Sequence, residues 1–185
     1  MYSWQLKQAA RIVHAGGVIA YPTEAVYGLG CDPLNPRAVH HLLGLKQRPW
    51  EKGLILIAAD LRQLEPFIQP LSETHLATVN TTWPGPVTWL LPTRPETPSW
   101  LRGVHNTIAV RVTAHPLAAA LCRACGHALV STSANPGGKR PAKTALKTRQ
   151  YFGNQLDFIL SGPLGKQARP TEIRDVRSGQ TIRPA

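Results

Sequence analysis

Residues 54–59 have the sequence LILIAA, an uninterrupted apolar run bounded by Gly53 and Asp60. A run this short and continuous is typical of a strand buried on both faces of a sheet, whereas a membrane-spanning helix needs about 20 apolar residues. Each face of such a strand must be covered by other apolar side chains, which helices usually supply. The run therefore favours an α/β fold and does not indicate a membrane-spanning segment.

Helix and strand patterns alternate along the rest of the chain. Helices are expected at residues 3–14 with Ser3 as N-cap, from Asn35 and Pro36 onward, at 116–124 and at 144–152. Strands are expected at residues 18–21, 54–59, 87–91, 108–112, 128–132, 158–160, 172–176 and 181–183. We expect a single α/β domain over residues 1–185, with a twisted mixed sheet flanked by helices, although the pattern does not give the strand order.

The first seven residues and the cysteines indicate in which cellular compartment the protein is expected. Residues 1–7 lack the basic and then apolar pattern of a signal peptide. Three cysteines cannot form an even disulfide framework, which favours a reducing, cytoplasmic location. Cys122 and Cys125 form a C-x-x-C pair, which suits redox chemistry or half a zinc site. We expect both to be structural, because no second Cys/His pair has zinc-like spacing.

The chain carries a formal net charge of +11, from 21 basic and 10 acidic residues. The excess of basic residues is concentrated from Pro136 onward, where the sequence has ten basic residues and three acidic ones. Such a surface suits the phosphates of a nucleotide or of RNA, although a solvated basic face remains the alternative.

Four polar segments follow or interrupt the expected strands, where open α/β sheets usually bind ligands. They are residues 21–30 (YPTEAVYGLG), 45–49 (LKQRP), 109–113 (AVRVT) and 130–139 (VSTSANPGGK). The glycines of the first segment permit close approach to a ligand, and the hydroxyls, amide and glycines of the last could surround phosphates. Either segment could also be an ordinary turn.

The two basic segments each leave an alternative. Lys46 and Arg48 could converge on one anion, or they could complement the dipole at a helix C-terminus. Arg111 lies inside an apolar strand and needs a partner. That partner could be a bound carboxylate or phosphate, or a structural salt bridge with Glu24 or Asp32.

Several common catalytic motifs are absent from the sequence: a Walker A loop, H-E-x-x-H and G-x-S-x-G. The histidines show no metal-ligand spacing, so no metal ligands are assigned. The residues present suit holding anions and reacting bound ligands with each other.

Together and in this order, the segments resemble the YrdC/TsaC family of threonylcarbamoyl-AMP synthases, in its short bacterial form. The matching stretches are residues 21–30 (YPTEAVYGLG), 45–49 (LKQRP), 52–58 (KGLILIA), 83–88 (WPGPVT), 109–116 (AVRVTAHP), 131–135 (STSAN) and 170–175 (PTEIRD). The resemblance covers nearly the whole chain. It implies a YrdC-like twisted sheet with a basic concave cavity. One departure is the Pro-Gly-Gly after Asn135, where the family often has serine and glycine.

The resemblance also implies roles for individual residues. It makes Lys46 and Arg48 catalytic. It places Thr23, Arg111 and Thr113 at the threonine or carbamoyl group. The residues implied to bind ATP are Lys46, Arg48, Ser131, Ser133, Asn135, Thr171 and Arg183. Lys52, which begins the strand beside the pocket, is an additional candidate.

The implied reaction uses ATP, L-threonine and bicarbonate to form L-threonylcarbamoyl-AMP and pyrophosphate. Mg²⁺ would accompany the triphosphate without a dedicated protein cage. The tRNA threonylcarbamoyl transferase machinery would use the product to form N6-threonylcarbamoyladenosine in tRNAs that read codons starting with adenine.

Two alternative functions are carbamoyl transfer from carbamoyl phosphate and an RNA-binding role in ribosome maturation. The net charge is the main argument for the second, and it also suggests non-specific RNA as a partner.

Overall fold

The computed structural model describes residues 3–167 and 171–184. Nine strands of the described part of the chain are hydrogen-bonded into one sheet. The strands are β1 (Ile19–Pro22), β2 (Tyr27–Gly30), β3 (Ile55–Ala58), β4 (Val87–Pro92), β5 (Thr107–Val112), β6 (Leu129–Ser133), β7 (Phe158–Ile159), β8 (Glu172–Asp175) and β9 (Thr181–Arg183). The described residues also form six α-helices: α1 (Ser3–His14), α2 (Pro36–Lys46), α3 (Glu73–Asn80), α4 (Ser99–Arg102), α5 (Pro116–Cys125) and α6 (Ala145–Phe152).

The sheet is mixed, with the strand order β7-β1-β2-β6-β3-β5-β4-β8-β9. The central strand β3 runs parallel to β5 and antiparallel to β6. Strands β1 and β7 pair in parallel, as do β4 and β8, whereas β1 and β2 form an antiparallel hairpin. The expected mixed sheet is therefore confirmed, and the structure supplies the order that the sequence left open.

Helices cover both faces of the sheet, and β3 shows why its sequence is continuously apolar. Leu56 packs into a core shared with α2, α4 and α6, whereas Ile57 packs into a second core formed with α1 and α5. Both side chains are fully buried. Successive strand residues point to opposite faces, so every position of a doubly covered strand must be apolar.

Local signals set the helix starts. Asn35 accepts a hydrogen bond from the Ala38 amide at 3.1 Å, and Pro36 is the first residue of α2. Thr144 caps α6 in the same way, through the Lys147 amide at 3.0 Å. Ser3, expected as the N-cap of α1, is instead the first helical residue of α1.

Three elements differ from the sequence expectation. The second half of residues 21–30, interpreted as a loop, forms strand β2, because two glycines and two aromatic or aliphatic residues hide the strand pattern. Gly30 belongs there because a side chain would collide with the Val130 carbonyl oxygen and the Tyr21 ring. Helices α3 and α4 were not expected: α3 buries only Val79, and α4 has just four residues.

None of the helices among residues 3–167 and 171–184 combines the length and the apolar character that crossing a membrane requires.

Candidate active site

A cavity of about 380 Å³ collects side chains from widely separated segments of the chain. Its polar lining includes Thr23, Lys46, Gln47, Arg48, Lys52, Arg111, Ser131, Thr132, Ser133, Asn135, Thr171 and Arg183. All the expected site residues therefore meet here except Thr113, which lies behind the wall. Five of the lining side chains are basic, and no carboxylate lines the cavity in the described part of the chain.

The end of α2 delivers Lys46 and Arg48 to the cavity. Gln47 has φ 50°, a left-handed conformation, and its amide bonds to the carbonyls of Gly44 and Leu43. The Arg48 amide bonds back to the Leu43 carbonyl at 3.0 Å. This pair of bonds is a Schellman motif, which normally has glycine at the position of Gln47. It reverses the chain within two residues and brings both basic side chains to the cavity.

Lys46 holds the 133–135 loop rather than complementing its own helix dipole. Its Nζ lies 2.5 Å from the Ser133 carbonyl oxygen and 3.0 Å from that of Asn135. The side-chain oxygens of the same two residues lie at 3.4 and 3.2 Å. Burial, and secondly the charge of Arg48, lower the pKa of Lys46 to about 8. The four oxygens oppose that shift, because they favour the protonated amine.

Ser133 and Asn135 complete this network. The Ser133 hydroxyl donates to Asn135 Oδ1 at 2.6 Å. Asn135 Nδ2 donates to the carbonyl oxygens of Pro136 and Lys139 at 3.0 and 2.8 Å. The amide of Asn135 therefore shapes the loop, and the second lone pair of the Ser133 hydroxyl remains for a ligand.

Arg48 and Arg183 are anchored by backbone carbonyls. Arg48 Nη2 donates to the Gly53 carbonyl at 2.9 Å, and Arg183 Nη2 donates to the Thr171 carbonyl at 2.8 Å. Burial lowers the pKa of both groups, and the pKa of Arg183 is lowered further by Arg111 and Arg48. Each guanidinium keeps further N–H groups for an anion.

Arg111 resolves the alternative left by the sequence, since its partner is Glu24. Arg111 Nη2 lies 3.2 Å from Glu24 Oε2, with side-chain exposures of 6% and 7%. Nη1 donates to the Thr171 hydroxyl at 2.7 Å. The alternative partner Asp32 was wrong: its carboxylate accepts from the Leu34 amide. The guanidinium also lines the cavity, so the salt bridge does not remove it from a ligand's reach.

Thr113 contacts Glu24 rather than the cavity. Its hydroxyl donates to Glu24 Oε1 at 2.5 Å and accepts from the His115 amide at 3.1 Å. The expected direct contact between Thr113 and threonine is therefore not supported by its placement. The hydroxyl orients the carboxylate that faces Arg111.

Three small residues surround the inner end of the cavity. The Thr23 hydroxyl donates to the Val26 carbonyl at 2.7 Å and retains acceptor capacity. A side chain at Gly28 would approach the Thr23 methyl group to 3.2 Å and the Ser131 hydroxyl to 3.5 Å. Glycine there leaves these two hydroxyl-bearing residues open to the cavity, as the close approach of a ligand predicted for this segment would require.

A second hollow of about 240 Å³ shares Arg48, Lys52 and Arg183 with the first. Apolar residues form much of its wall, among them Leu90, Leu101, Ile108, Ile173 and Ile182. The sequence pattern did not indicate this hollow, because its apolar residues come from several strands and from α4, which meet only in the folded protein.

Cys122 and Cys125 lie on the buried face of α5. Both are free thiols, and burial raises their pKa values. No cluster of three metal-ligating side chains occurs within residues 3–167 and 171–184.

Comparison with known proteins gives the family. The family model Sua5_yciO_yrdC, described as "Telomere recombination", matches residues 11–185. The chain belongs to the Sua5/YciO/YrdC family. This confirms the resemblance found in the motif set.

Relatives within the Sua5/YciO/YrdC family match the whole chain. A Nitrosococcus oceani protein named threonylcarbamoyl-AMP synthase is 58% identical over 181 residues, covering 98% of each chain. Sua5 of P. abyssi, solved in complex with L-threonine, superimposes with a TM-score of 0.87 at 31% identity. The match covers 93% of this chain but about half, 51%, of that Sua5 chain. E. coli YciO gives 0.84 at 30% identity, covering 98% and 89%.

Proposed function

We propose that this protein is a threonylcarbamoyl-AMP synthase. It uses ATP, L-threonine and bicarbonate to make L-threonylcarbamoyl-AMP and pyrophosphate. The main supporting observation is that residues 23, 46, 48, 111, 131, 133, 135, 171 and 183, drawn from distant motifs, line one cavity. Relatives that match 98% of the chain are named for this activity.

The reaction needs two bond-forming steps. The amine of threonine attacks carbon dioxide derived from bicarbonate, and loss of a proton from nitrogen gives a carbamate. A carbamate oxygen then attacks the α-phosphorus of ATP, and the bond to the β-phosphate oxygen breaks to release pyrophosphate. Because both reactants are anions, the enzyme must hold them together and neutralise the charge that develops on the leaving pyrophosphate.

The inner end of the cavity suits threonine. Arg111 would donate hydrogen bonds to the carboxylate of threonine, and the hydroxyls of Thr23, Ser131 and Thr171 line the same cavity and could bind its other polar groups. These four residues are all less than 9% exposed, so the amino acid would be held away from bulk water. A sheltered site matters because the product is a mixed anhydride that water can hydrolyse.

The outer part of the cavity suits the triphosphate. Arg48, Lys52 and Arg183 offer charged donors, and Lys46 fixes the loop that carries Ser133 and Asn135 beside them. The adjoining hollow, with Ile108 and Ile173 in its wall, offers apolar surface to the adenine ring. Lys46 and Arg48 would act on the phosphates nearest the reacting atom, which is the catalytic role expected of them.

Magnesium would be brought by ATP itself. The described cavity lining has no carboxylate, so the ion would be held by phosphate oxygens and water, the ligands it commonly keeps. It would supply further neutralisation of phosphate charge.

We also propose a cytoplasmic location for the protein. The product would pass to the tRNA threonylcarbamoyl transferase machinery, because an activated carbamoyl group requires an amine acceptor.

Mass spectrometry of the reaction products tests this function. With ATP, threonine and bicarbonate, the expected product is threonylcarbamoyl-AMP, together with one pyrophosphate per product. Omitting threonine should abolish pyrophosphate release. Release that continues without threonine, or that requires carbamoyl phosphate, would contradict the proposal and favour carbamoyl transfer. Lys143→Met is the control variant, because it removes the charge of an exposed lysine outside the cavity. It should form the product at the rate of the unmodified protein.

A further inference from the structure

The buried pair Arg111–Glu24 changes the charge of one end of the cavity. Arg111 contributes one of the five basic side chains of the lining, yet Glu24 lies directly behind it. Glu24 is 6% exposed and does not line the cavity. At the inner end, therefore, the guanidinium of Arg111 lines the cavity, while the carboxylate of Glu24, outside the lining, balances its charge. Among the described residues, none of the other lining cations forms a salt bridge with a carboxylate, namely Lys46, Arg48, Lys52 and Arg183.

Arg183 and His115 are titratable side chains near the pair. Arg183 is the charged one: burial and then Arg111 lower its pKa, and its Nη2 donates to the Thr171 carbonyl, so it adds, next to the balanced pair, a cation that forms no salt bridge with a described residue. His115 is the other titratable neighbour, and burial lowers its pKa. Its Nδ1 accepts from the Ala118 amide and its Nε2 faces the Pro163 carbonyl, a neutral tautomer's pattern. The hydroxyls of Thr88, Thr113 and Thr171 contact the pair without adding charge.

The hydrogen bonding within the buried pair is incomplete. Among the described residues, Glu24 Oε2 and Arg111 Nε are buried without a hydrogen-bond partner. The 3.2 Å contact of the ion pair joins Glu24 Oε2 to Arg111 Nη2, so the Nε–H of the guanidinium makes no hydrogen bond. Glu24 Oε2 and Arg111 Nε are enclosed by protein, so a ligand in the cavity would meet other atoms of the guanidinium, and Glu24 would act on the ligand through its charge.

We propose that Glu24 is a specificity-determining residue: it neutralises Arg111 so that the inner end of the cavity selects a zwitterionic amino acid and rejects small inorganic anions. This rests on the proposed function, in which threonine and a triphosphate must occupy adjacent sites without exchanging places. A free arginine at the inner end would attract phosphate or pyrophosphate, both present during turnover. A neutral pair still hydrogen-bonds a carboxylate but gives no net attraction to a free anion.

Calorimetric titration of L-threonine, with and without inorganic phosphate, tests this in the unmodified protein. Phosphate should leave the apparent Kd of threonine within about twofold, because it binds only the outer cations. An ATP titration in the same buffer should show competition by phosphate, which proves that phosphate does bind. Phosphate that competes with threonine in the unmodified protein would overturn the inference.

Glu24→Gln is the decisive variant, because it keeps the shape and removes the charge. In this variant phosphate should compete with threonine, with the ratio of phosphate Kd to threonine Kd falling at least about tenfold. Thr113→Val is the matched control, because it removes a hydrogen bond to the Glu24 carboxylate but leaves its charge in place. In this variant phosphate should not compete with threonine. Unchanged discrimination in a folded Glu24→Gln protein contradicts the proposal.

Glu24→Gln leaves a buried arginine unpaired and will lower stability, so a second readout is needed. Phosphate should raise the melting temperature of Glu24→Gln more than that of the unmodified protein, since a ligand stabilises the state that binds it. An equal rise in both proteins would contradict the inference. Failure of the unmodified protein to bind threonine at all would instead count against the proposed function.

Discussion

At the scale of single residues, Lys46 shows how a charged side chain can serve catalysis through its neighbours. Its Nζ contacts four oxygens of Ser133 and Asn135 at 2.5 to 3.4 Å. Three N–H donors are thus occupied before any ligand arrives. Lys46 would contribute positive charge to the phosphates while its geometry is fixed by the loop it organises. Arg48 and Arg183, which keep unused N–H groups, are better placed for direct contacts.

Lys46 gives a prediction about pH. Because the pKa of Lys46 in the folded protein is lowered to about 8, its charge is present below that pH and is lost as pH rises through it. ATP affinity should therefore weaken between about pH 7 and pH 9. Calorimetry of ATP binding across this range checks the prediction. In Lys46→Arg, binding should be weaker overall and constant with pH, because arginine does not titrate there.

The same shift predicts the sign of a stability effect. The unfolded chain, with a normal lysine pKa of 10.5, binds this proton more tightly than the folded protein does. The contribution of Lys46 to folding stability therefore becomes more favourable as pH rises from about 8 towards 10.5.

The Lys46→Arg variant is also the control for the prediction about ATP affinity. If this variant loses ATP affinity with rising pH in parallel with the unmodified protein, the pH effect belongs to another group.

At the scale of secondary structure, the C-terminus of α2 combines a regular signal with an irregular one. The helix begins at a normal cap, but it ends on Gln47 in the left-handed region, where L residues pay about 1–2 kcal/mol. Strained conformations of this kind persist where the surrounding structure imposes them, often beside functional sites. Here the motif sets the positions of Lys46 and Arg48 relative to the cavity.

Gln47→Gly should relieve that conformation. We expect the free energy of unfolding to rise by about 0.5–1 kcal/mol, since part of the gain is lost to the greater freedom of glycine in the unfolded chain. Urea unfolding followed by circular dichroism measures this. Gln47→Ala, which retains the Cβ, should not be stabilised, and this control separates backbone strain from the loss of the side chain. A destabilised Gln47→Gly protein would mean that contacts of the Gln47 side chain outweigh the strain.

At the scale of the whole molecule, the net charge of +11 is spread well beyond the cavity. Residues 136–156 contain Lys139, Arg140, Lys143, Lys147 and Arg149 and no acidic residue. All five side chains are exposed, on a segment that begins at the cavity rim with Gly137. Non-specific RNA would therefore meet cations outside the nucleotide site as well as inside it.

This charge distribution predicts how RNA binding responds to salt. Affinity for tRNA should fall steeply with salt and should differ little from that for an unrelated duplex, because phosphates alone are contacted. Replacing both Lys143 and Lys147 by Gln should reduce the salt slope by about 1–2 and leave ATP affinity unchanged. Fluorescence anisotropy at several salt concentrations measures both. A tRNA preference that survives high salt would favour a primary RNA-binding role.

The sequence by itself determined the local elements and the family. The apolar strand β3, the helix that begins after Asn35 and the late strands β8 and β9 were predicted, because these signals act over a few neighbouring residues. The ordered motif set also gave the family, which a family model over residues 11–185 and a relative with 58% identity confirm. The residues that the resemblance implied, apart from Thr113, line one cavity, and their roles there stay predictions.

Only the tertiary structure decided the strand order, the partners of charged residues and the placement of Thr113. Glu24 and Arg111 are 87 positions apart in the sequence, and nothing local distinguishes Glu24 from Asp32 as the partner of Arg111. Likewise, Lys46 contacts a loop 87 residues away, so its role could not be separated from helix capping by spacing. The physical reason is the same in both cases: long-range contacts depend on how strands pair, and strand pairing buries many side chains at once.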